Sequence, residues 1–368
     1  MLVRLTGFVV LSILLACVTG GPGAYAQGVG SGSGSDMRVS VDMIGQSYQT
    51  ADGVRLQQFS TPLMIRVPLG RRSTVSLQAT AALTDASSTP TFGGIGDVRI
   101  SGSTRRAIGP GQLVASLRAT LPVGTTRLSS ERFRATVLMS RDHFRFRTPV
   151  YGQGLGFAPS LLYALPLSPA VTVGIGAMYQ HRGSYEPFAG MADAFTPGND
   201  IILTGGLDLR ISRTWMLSAD GVYSFYAEDT LGETAIFRSG NQLIAGVTLT
   251  GQIGFNTVRL TVRYRERGRP EVPQVGGPAV PALQTVADYV QGRLAYRSHL
   301  SSAFSVEGQV EGRQYGASDV IDRLRLLDLG LQPQWRITRD IQLRGRLVYT
   351  AGSFDGVEAG LGFVAWLR

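Results

Sequence analysis

The sequence contains no lysine and a single cysteine, and both absences limit what the chain can do. All 35 basic residues are arginine, which we interpret as codon bias, and they exceed the 26 acidic residues to give a formal net charge of +9. No nucleic-acid motif accompanies this charge, so we expect no nucleic-acid partner. Because Cys17 is the only thiol, the sequence offers no disulfide and no cysteine-based metal site. The three histidines lack a paired spacing, so we predict no metal and no cofactor.

The sequence also has only one long apolar run, and it lies at the N-terminus. Residues 5–18 follow the positive charge of Arg4 and precede the small residues that end at Ala26. This arrangement is typical of a signal peptide, which we predict to occupy residues 1–26 with cleavage after Ala26. The Gly- and Ser-rich residues 27–36 are then a flexible linker, and residues 37–368 form a single domain.

A second prediction for the N-terminal segment is lipidation. Residues 14–17 read LLAC and resemble a bacterial lipobox, with Cys17 as the residue that would carry the lipid. Either process exports the chain from the cytoplasm. Beyond this segment no apolar run approaches the roughly 20 residues of a membrane-spanning helix. Yet the mean hydropathy is +0.09 and the chain has 47 glycines, which is apolar for a sequence without such helices.

From residue 37 onward, apolar and polar side chains alternate. The stretch 257–267, TVRLTVRYRER, places Arg259, Arg263 and Arg265 on one face of a strand, with aliphatic and aromatic residues on the other. In a soluble sandwich the apolar face would be the core and the arginines would face water. In an outer-membrane barrel the apolar face would contact lipid and the arginines would line the lumen.

The alternating segments are long enough to cross a bilayer as tilted strands, which need 9–11 residues. We predict sixteen strands, near 37–48, 54–68, 73–84, 95–108, 112–122, 151–166, 170–182, 199–212, 215–227, 236–250, 257–267, 286–298, 302–315, 321–336, 340–350 and 356–367. Short connections alternate with longer ones, as in outer-membrane barrels. The predicted fold is therefore all-β, a transmembrane antiparallel up-and-down barrel of about 16 strands, and fourteen strands also fit the pattern.

The aromatic residues support this prediction. With the apolar face outward, aromatic side chains collect near both ends of the strands, as at the two interfaces of a membrane. At the short-turn end these are Trp215, Trp335 and Phe363, and at the other end Tyr179, Phe225, Tyr264 and Tyr349.

The opposite face carries charges of both signs, which need water or one another because an unpaired buried charge costs several kcal/mol. A hydrated lumen provides both. We therefore predict a channel lined by arginines and acidic residues, with arginines in excess. The predicted lining residues are Asp208, Arg210, Arg259, Arg263, Arg265, Arg293, Arg297, Glu307, Glu311, Arg344 and Arg346.

Two long connections could alter this lumen. The segment 123–150 carries six arginines, at positions 127, 132, 134, 141, 145 and 147. It would either fold inward and narrow the lumen or stay outside against lipopolysaccharide phosphates. The segment 268–286 is rich in proline and apolar residues and is expected to form a stiff cap.

Three short motifs resemble a known family. Gly94-Ile95-Gly96-Asp97 is followed by Leu121-Pro122-Val123-Gly124 and then by Gly154-Leu155-Gly156. In this order they are similar to motifs of the outer-membrane transport proteins of phenol-degradation (MetA-pathway) clusters. The resemblance covers residues 94–165 and departs at Val123, where the family usually has threonine. It implies passive uptake of small molecules, apolar or aromatic ones among them, and an outer-membrane location.

Two further classes of function compete with a channel. A plugged barrel could serve as a structural or assembly partner in the outer membrane. A barrel hydrolase would need a histidine beside a nucleophile, and Ser140, Asp142 and His143 are near in sequence, but strand alternation does not arrange them as a triad. We therefore predict no enzyme activity and no catalytic residue. The expected partners are outer-membrane lipid, lipopolysaccharide, a small solute and, for an oligomer, further copies of the chain.

Overall fold

The computed structural model describes residues 36–87, 89–148, 150–187, 189–274 and 277–367. The predicted signal peptide, the lipobox and all of the linker except Asp36 lie outside these residues. In the described part of the chain, no helix is long and apolar enough to cross a membrane.

Sixteen antiparallel strand crossings form a closed barrel, as the sequence predicted. The first half of the barrel is built from β1 (Met37–Thr50), β2 (Arg55–Leu69), β3 (Ser73–Ala86), β4 (Thr89–Ile95), β5 (Val98–Ile108), β6 (Gly111–Leu121), β7 (Gly156–Pro166), β8 (Val171–Arg182) and β10 (Asp200–Arg210). The second half is built from β11 (Trp215–Tyr226), β14 (Gln242–Ile253), β15 (Asn256–Arg267), β18 (Tyr289–His299), β19 (Phe304–Tyr315), β20 (Leu324–Arg336), β21 (Ile341–Gly352) and β22 (Phe354–Leu367).

The barrel closes where β1 pairs with β22 without interruption, from Met37 opposite Leu367 to Thr50 opposite Phe354. Seventeen strands are hydrogen-bonded in this sheet, but β4 and β5 follow each other along one crossing, and both pair with β3. The predicted strand 95–108 is therefore interrupted at Gly96 and Asp97. The count of sixteen excludes the fourteen-strand alternative.

The two rims of the barrel differ in the length of their connections. One end, the short-turn rim, holds the start of β1 and the end of β22. It also holds the turns 70–72, 109–110, 167–170, 211–214, 254–255, 300–303 and 337–340. The other end, the loop rim, holds the longer connections. Three of these build a second sheet of β9 (Phe195–Thr196), β12 (Glu228–Leu231), β13 (Thr234–Arg238), β16 (Glu271–Gln274) and β17 (Gly277–Pro281).

These additional strands correct several predicted boundaries. The predicted strand 236–250 merged the end of β13 with β14, which begins only at Gln242. The predicted cap at 268–286 contains the pair β16 and β17 and joins the small sheet. Such short strands lack a long alternating pattern, so periodicity could not separate them from loops.

The two faces of the barrel wall have opposite character. On β19, Glu307, Glu311 and Arg313 are buried, whereas their neighbour Val310 is 47% exposed. The exposed side faces outward. The buried side faces the lumen, where the connection between β6 and β7 covers it. Of the seven aromatic residues expected near the strand ends, six are exposed on the outer face, among them Trp335, Phe363 and Tyr179, whereas Trp215 is half-buried.

Candidate functional site: a lumen narrowed by an inserted segment

The segment between β6 and β7, residues 122–155, folds into the barrel instead of remaining outside. It contains the helix α1 (Ser130–Met139), whose first turn is capped by Ser129, which accepts a hydrogen bond from the backbone N–H of Arg132. Ala135 and Met139 of the helix are buried. The structure thus decides between the two predictions for 123–150 in favour of the inward one, and it adds a helix that the sequence did not reveal. We call residues 122–155 the inserted segment.

Two glutamines on the barrel wall hold the backbone of the inserted segment. The Gln58 amide donates to the Thr148 carbonyl at 2.8 Å and accepts from the Thr148 N–H at 2.9 Å. The Gln46 amide donates to the Arg145 carbonyl and accepts from the Arg147 N–H, both at 3.0 Å. Each amide therefore satisfies one donor and one acceptor that would otherwise be buried unpaired.

Arginines of the inserted segment form ion pairs with acidic residues on the wall. Arg145 pairs with Glu311 on β19, and Arg147 pairs with Glu358 on β22 at 2.7 Å. Both carboxylates are almost fully buried. Glu311 also lies 3.6 Å from Arg313 and Glu358 also pairs with Arg346, so the segment adds a second cation to each buried carboxylate of the wall.

An aromatic cluster joins the inserted segment to the loop-rim ends of β1 and β22. Phe144 and Phe146 of the segment pack on Tyr48 of β1, with ring centroids 5.7 and 5.1 Å apart, and Phe144 also packs on Phe354 of β22 at 5.0 Å. His143 stacks on Phe144 at 4.3 Å. All five side chains are buried, so this part of the lumen is filled.

Both ends of the inserted segment meet at Asp97, in the break between β4 and β5. Its carboxylate accepts from the Gly124 N–H at 2.9 Å and from the Gln153 N–H at 2.6 Å. A Cβ on Gly94 would lie 2.9 Å from the ring of Tyr151, so only glycine lets that ring approach. The three glycine-rich motifs of the sequence therefore converge at one place, the root of the inserted segment.

Several predicted lining residues are ion-paired on the inner wall. Arg293 and Arg297 share Glu307 at 3.4 and 2.8 Å, and Arg344 lies 3.1 Å from Asp42. Arg346 pairs with Glu358, the acceptor that Arg147 also uses.

The remaining predicted lining residues have weaker ion-pair contacts or none, except for Arg265. Arg265 is buried and pairs with Asp142 of the inserted segment. Arg263 is 3.9 Å from Asp220, and Asp208 accepts from the Ser218 hydroxyl at 2.6 Å. Among the described residues, Arg210 and Arg259 form no ion pair.

The inserted segment covers only part of the inner wall. The acids and amides that face it on β1, β2, β19, β20 and β22 are buried. Across the lumen, the inward-facing Asp208, Arg210 and Asp220 are exposed. Space therefore remains between the segment and the wall formed by β7 to β14.

Sequence reasoning missed the residues that anchor the inserted segment. Gln46 and Gln58 lie on the inner face by the same alternation as the arginines, but an uncharged amide gave no reason to select it. Arg145 and Arg147 were noted only as part of a basic loop.

The histidines are far from a shared site. His143 lies in the aromatic cluster, His181 stacks on Phe157 at 4.7 Å, and His299 ends β18 at the short-turn rim. No cluster of three potential metal ligands occurs among the described residues.

No family model and no curated protein sequence matches the chain. Among solved structures, it is similar to OprB from Pseudomonas putida, with 11% identity, a TM-score of 0.47 and coverage of 90% of this chain and 93% of that one. It is also similar to OpdQ from Pseudomonas aeruginosa, with 9% identity, a TM-score of 0.45 and coverage of 90% and 98%. The COG4313 outer membrane channel from Pseudomonas putida F1 has 12% identity, a TM-score of 0.40 and coverage of 94% and 99%.

Proposed function

We propose that the protein is an outer-membrane channel for the passive uptake of small solutes through an arginine-rich lumen. The main support is the uneven filling of the barrel, in which the inserted segment covers one side of the inner wall while the inward-facing side chains opposite remain exposed. A barrel of this size is wide enough for an aqueous path, and an inserted segment would restrict it.

The outer wall supports the membrane location. Large apolar side chains are exposed on strands around the barrel, such as Ile175 at 69%, Leu260 at 46% and Leu361 at 51%. A soluble monomer rarely exposes a contiguous apolar surface of this extent. A lipid environment removes this surface from water, and the aromatic residues near both rims suit the two membrane interfaces.

The charges of the lumen favour anions. Arg259 has no ion pair among the described residues, and Arg263 is only loosely paired with Asp220. We therefore expect a modest anion preference, since lumenal water at physiological salt screens charges beyond about 8 Å.

Single-channel recording of the purified protein in planar bilayers tests this proposal. The wild type should conduct, with a reversal potential in a salt gradient that indicates anion preference. Replacing Arg259 and Arg263 with glutamine should bring that potential closer to zero. Arg265 is left unchanged because it holds the inserted segment through Asp142. A preference for cations in the wild type would contradict the charge argument.

A second candidate is a plugged barrel that acts as a structural partner. The observation in its favour is the dense attachment of the inserted segment, whose aromatic and charged side chains fill one side of the lumen. A wild-type protein that folds and inserts but carries no current would favour this candidate.

A further inference from the structure

The wall opposite the inserted segment carries a stripe of apolar side chains that points into the lumen. It comprises Leu162 on β7, Met178 on β8, Ile202 on β10, Val222 on β11 and Ile244 on β14. Met178 is the direct partner of Ile202, and Val222 is the direct partner of Ile244.

The remaining steps of the stripe are diagonal, because Leu162 pairs with Gly176 and Ile202 pairs with Ser224. Direct cross-strand partners lie about 4.5–5.5 Å apart and diagonal neighbours about 7–8 Å, which long side chains bridge. The stripe is therefore continuous across five strands.

The register fixes the inward direction of these side chains. Ile202 shares its face of β10 with Asp200 and Asp208, whereas the alternate residues Ile201 and Leu203 are 50% and 45% exposed on the outer wall. At the level of the stripe, these strands therefore carry apolar side chains on both faces. On the outside the apolar residues suit lipid, but a purely aqueous lumen gives no reason for them on the inside.

The apolar stripe does not serve as packing for the inserted segment. Leu162 is 39% exposed and the other four members are partly exposed, whereas the aromatic cluster across the lumen is buried. Glycines at 174, 176 and 206 lie beside it on the same inner face and add no side chain there. The stripe thus offers an apolar surface to whatever occupies the lumen.

The stripe crosses five neighbouring strands and ends beside two arginines. Ile244 is the third residue of β14 from the loop rim, while Leu162 lies nearer the short-turn end of β7. Ile244 pairs with Arg265, and the next inward position, Gly246, pairs with Arg263. The Arg263 side chain is 43% exposed, and its only ion-pair partner among the described residues, Asp220, lies 3.9 Å away. The guanidinium of Arg263 therefore retains accessible N–H groups for an anionic group.

We propose that the solutes of this channel are small organic anions with an apolar body, such as aromatic carboxylates. The anionic group contacts Arg263 near the loop rim while the apolar body moves along the stripe. This inference rests on the proposed channel function and deepens it, since an apolar wall selects among anions that positive charge alone would treat alike.

The test compares two carboxylates that differ in the polarity of the body. Reversal potentials of wild-type channels are measured with sodium benzoate or sodium gluconate against sodium chloride. Benzoate should be severalfold more permeant than gluconate relative to the ratio of their mobilities in water. A permeability ratio equal to the mobility ratio would overturn the inference while leaving the channel intact. Absence of any current would instead overturn the channel proposal and this inference with it.

Near-isosteric variants locate the effect. Ile202→Thr combined with Val222→Thr keeps β-branched side chains and should lower the benzoate-to-gluconate ratio toward the mobility ratio. The reciprocal control, Thr204→Val beside Val222, should preserve or raise it. Arg263→Gln should reduce both anion permeabilities relative to sodium and leave their ratio nearly unchanged. An unchanged ratio in the double variant would refute the role of the stripe, and if that variant does not fold, Val222→Thr alone decides.

Discussion

Arg313 shows how a single buried charge joins parts of the chain that are distant in sequence. Its guanidinium donates to both oxygens of Asp328 at 2.8 Å and to the carbonyl of His143 at 2.8 Å. Asp328 also accepts from the Thr350 hydroxyl at 2.6 Å. Removing one partner of such a pair typically costs about 3–5 kcal/mol, because the other charge stays buried. Here the loss would destabilise the contact between β19 and β20 and the attachment of the inserted segment to both.

His143 should make the attachment of the inserted segment sensitive to acid. Burial lowers the pKa of the imidazole from 6.5 to about 4, so the docked segment favours the neutral form. In the released segment the pKa is ordinary, and docking is therefore fully stable above about 6.5 and weakens as the pH falls toward 4. The shift corresponds to a loss on the order of 3 kcal/mol. Current noise or limited proteolysis between pH 7 and 4 would detect the release.

His143→Gln is the matched variant, since it removes the titrating group and keeps a neutral polar side chain of similar size. Its pH dependence over this range should be much flatter than that of the wild type. An equally steep profile in the variant would assign the acid response to other groups.

At the scale of elements, the inserted segment is held by contacts that sequence periodicity does not encode. Its helix has ten residues and buries only a few of them, which is too short for a clear helical pattern. The amides of Gln46 and Gln58 then bind the backbone of residues 145–148, each through one donor and one acceptor. The segment is thus a fixed part of the wall on one side of the lumen.

Gln46→Leu combined with Gln58→Leu should release the inserted segment. The change leaves buried backbone groups of Arg145, Arg147 and Thr148 without partners, at about 1–3 kcal/mol for each group. We expect a larger single-channel conductance and faster proteolysis within the segment. Gln57→Leu is the control, because Gln57 lies on the outer face and bonds Ser47. Equal conductance of the double variant and the control would show that the segment does not limit the lumen.

The barrel as a whole reverses the distribution of polarity that is usual in soluble proteins. Its apolar residues face outward and its ion pairs face inward, so the protein depends on lipid outside and on water or partners inside. Closure through β1 and β22 leaves the barrel sheet without the exposed edge strands at which other chains could add.

Leu260→Arg tests this arrangement. The side chain is 46% exposed on the outer face of β15, where a charge near mid-membrane should cost about 2–4 kcal/mol. Thr261→Asn, the inward neighbour, should change stability much less, although it disturbs the contact between Thr261 and Thr248. Refolding into lipid vesicles with a denaturant titration measures both. Similar tolerance of the two changes would mean that the faces are assigned wrongly.

The strand crossings and the two faces of the wall follow from the amino-acid sequence alone, because strand alternation is a local property with a period of two. This alternation placed β15 within a residue of its observed bounds and put Arg259, Arg263 and Arg265 on the face opposite Leu260 and Tyr264. A closed barrel is expected because the backbone groups of an edge strand would have no hydrogen-bond partners in lipid.

The position of the inserted segment and the pairing of the charges depend instead on contacts between residues that are far apart in the sequence. Arg344 meets Asp42 because the last strands close onto the first, and Arg147 meets Glu358 because a loop from the middle of the chain enters the lumen. Alternation determines which face of the sheet a side chain occupies. It does not determine which residue the side chain pairs with or which segment covers it. The same limit hid the apolar stripe, whose five members belong to five different strands and become neighbours only through the register of the sheet.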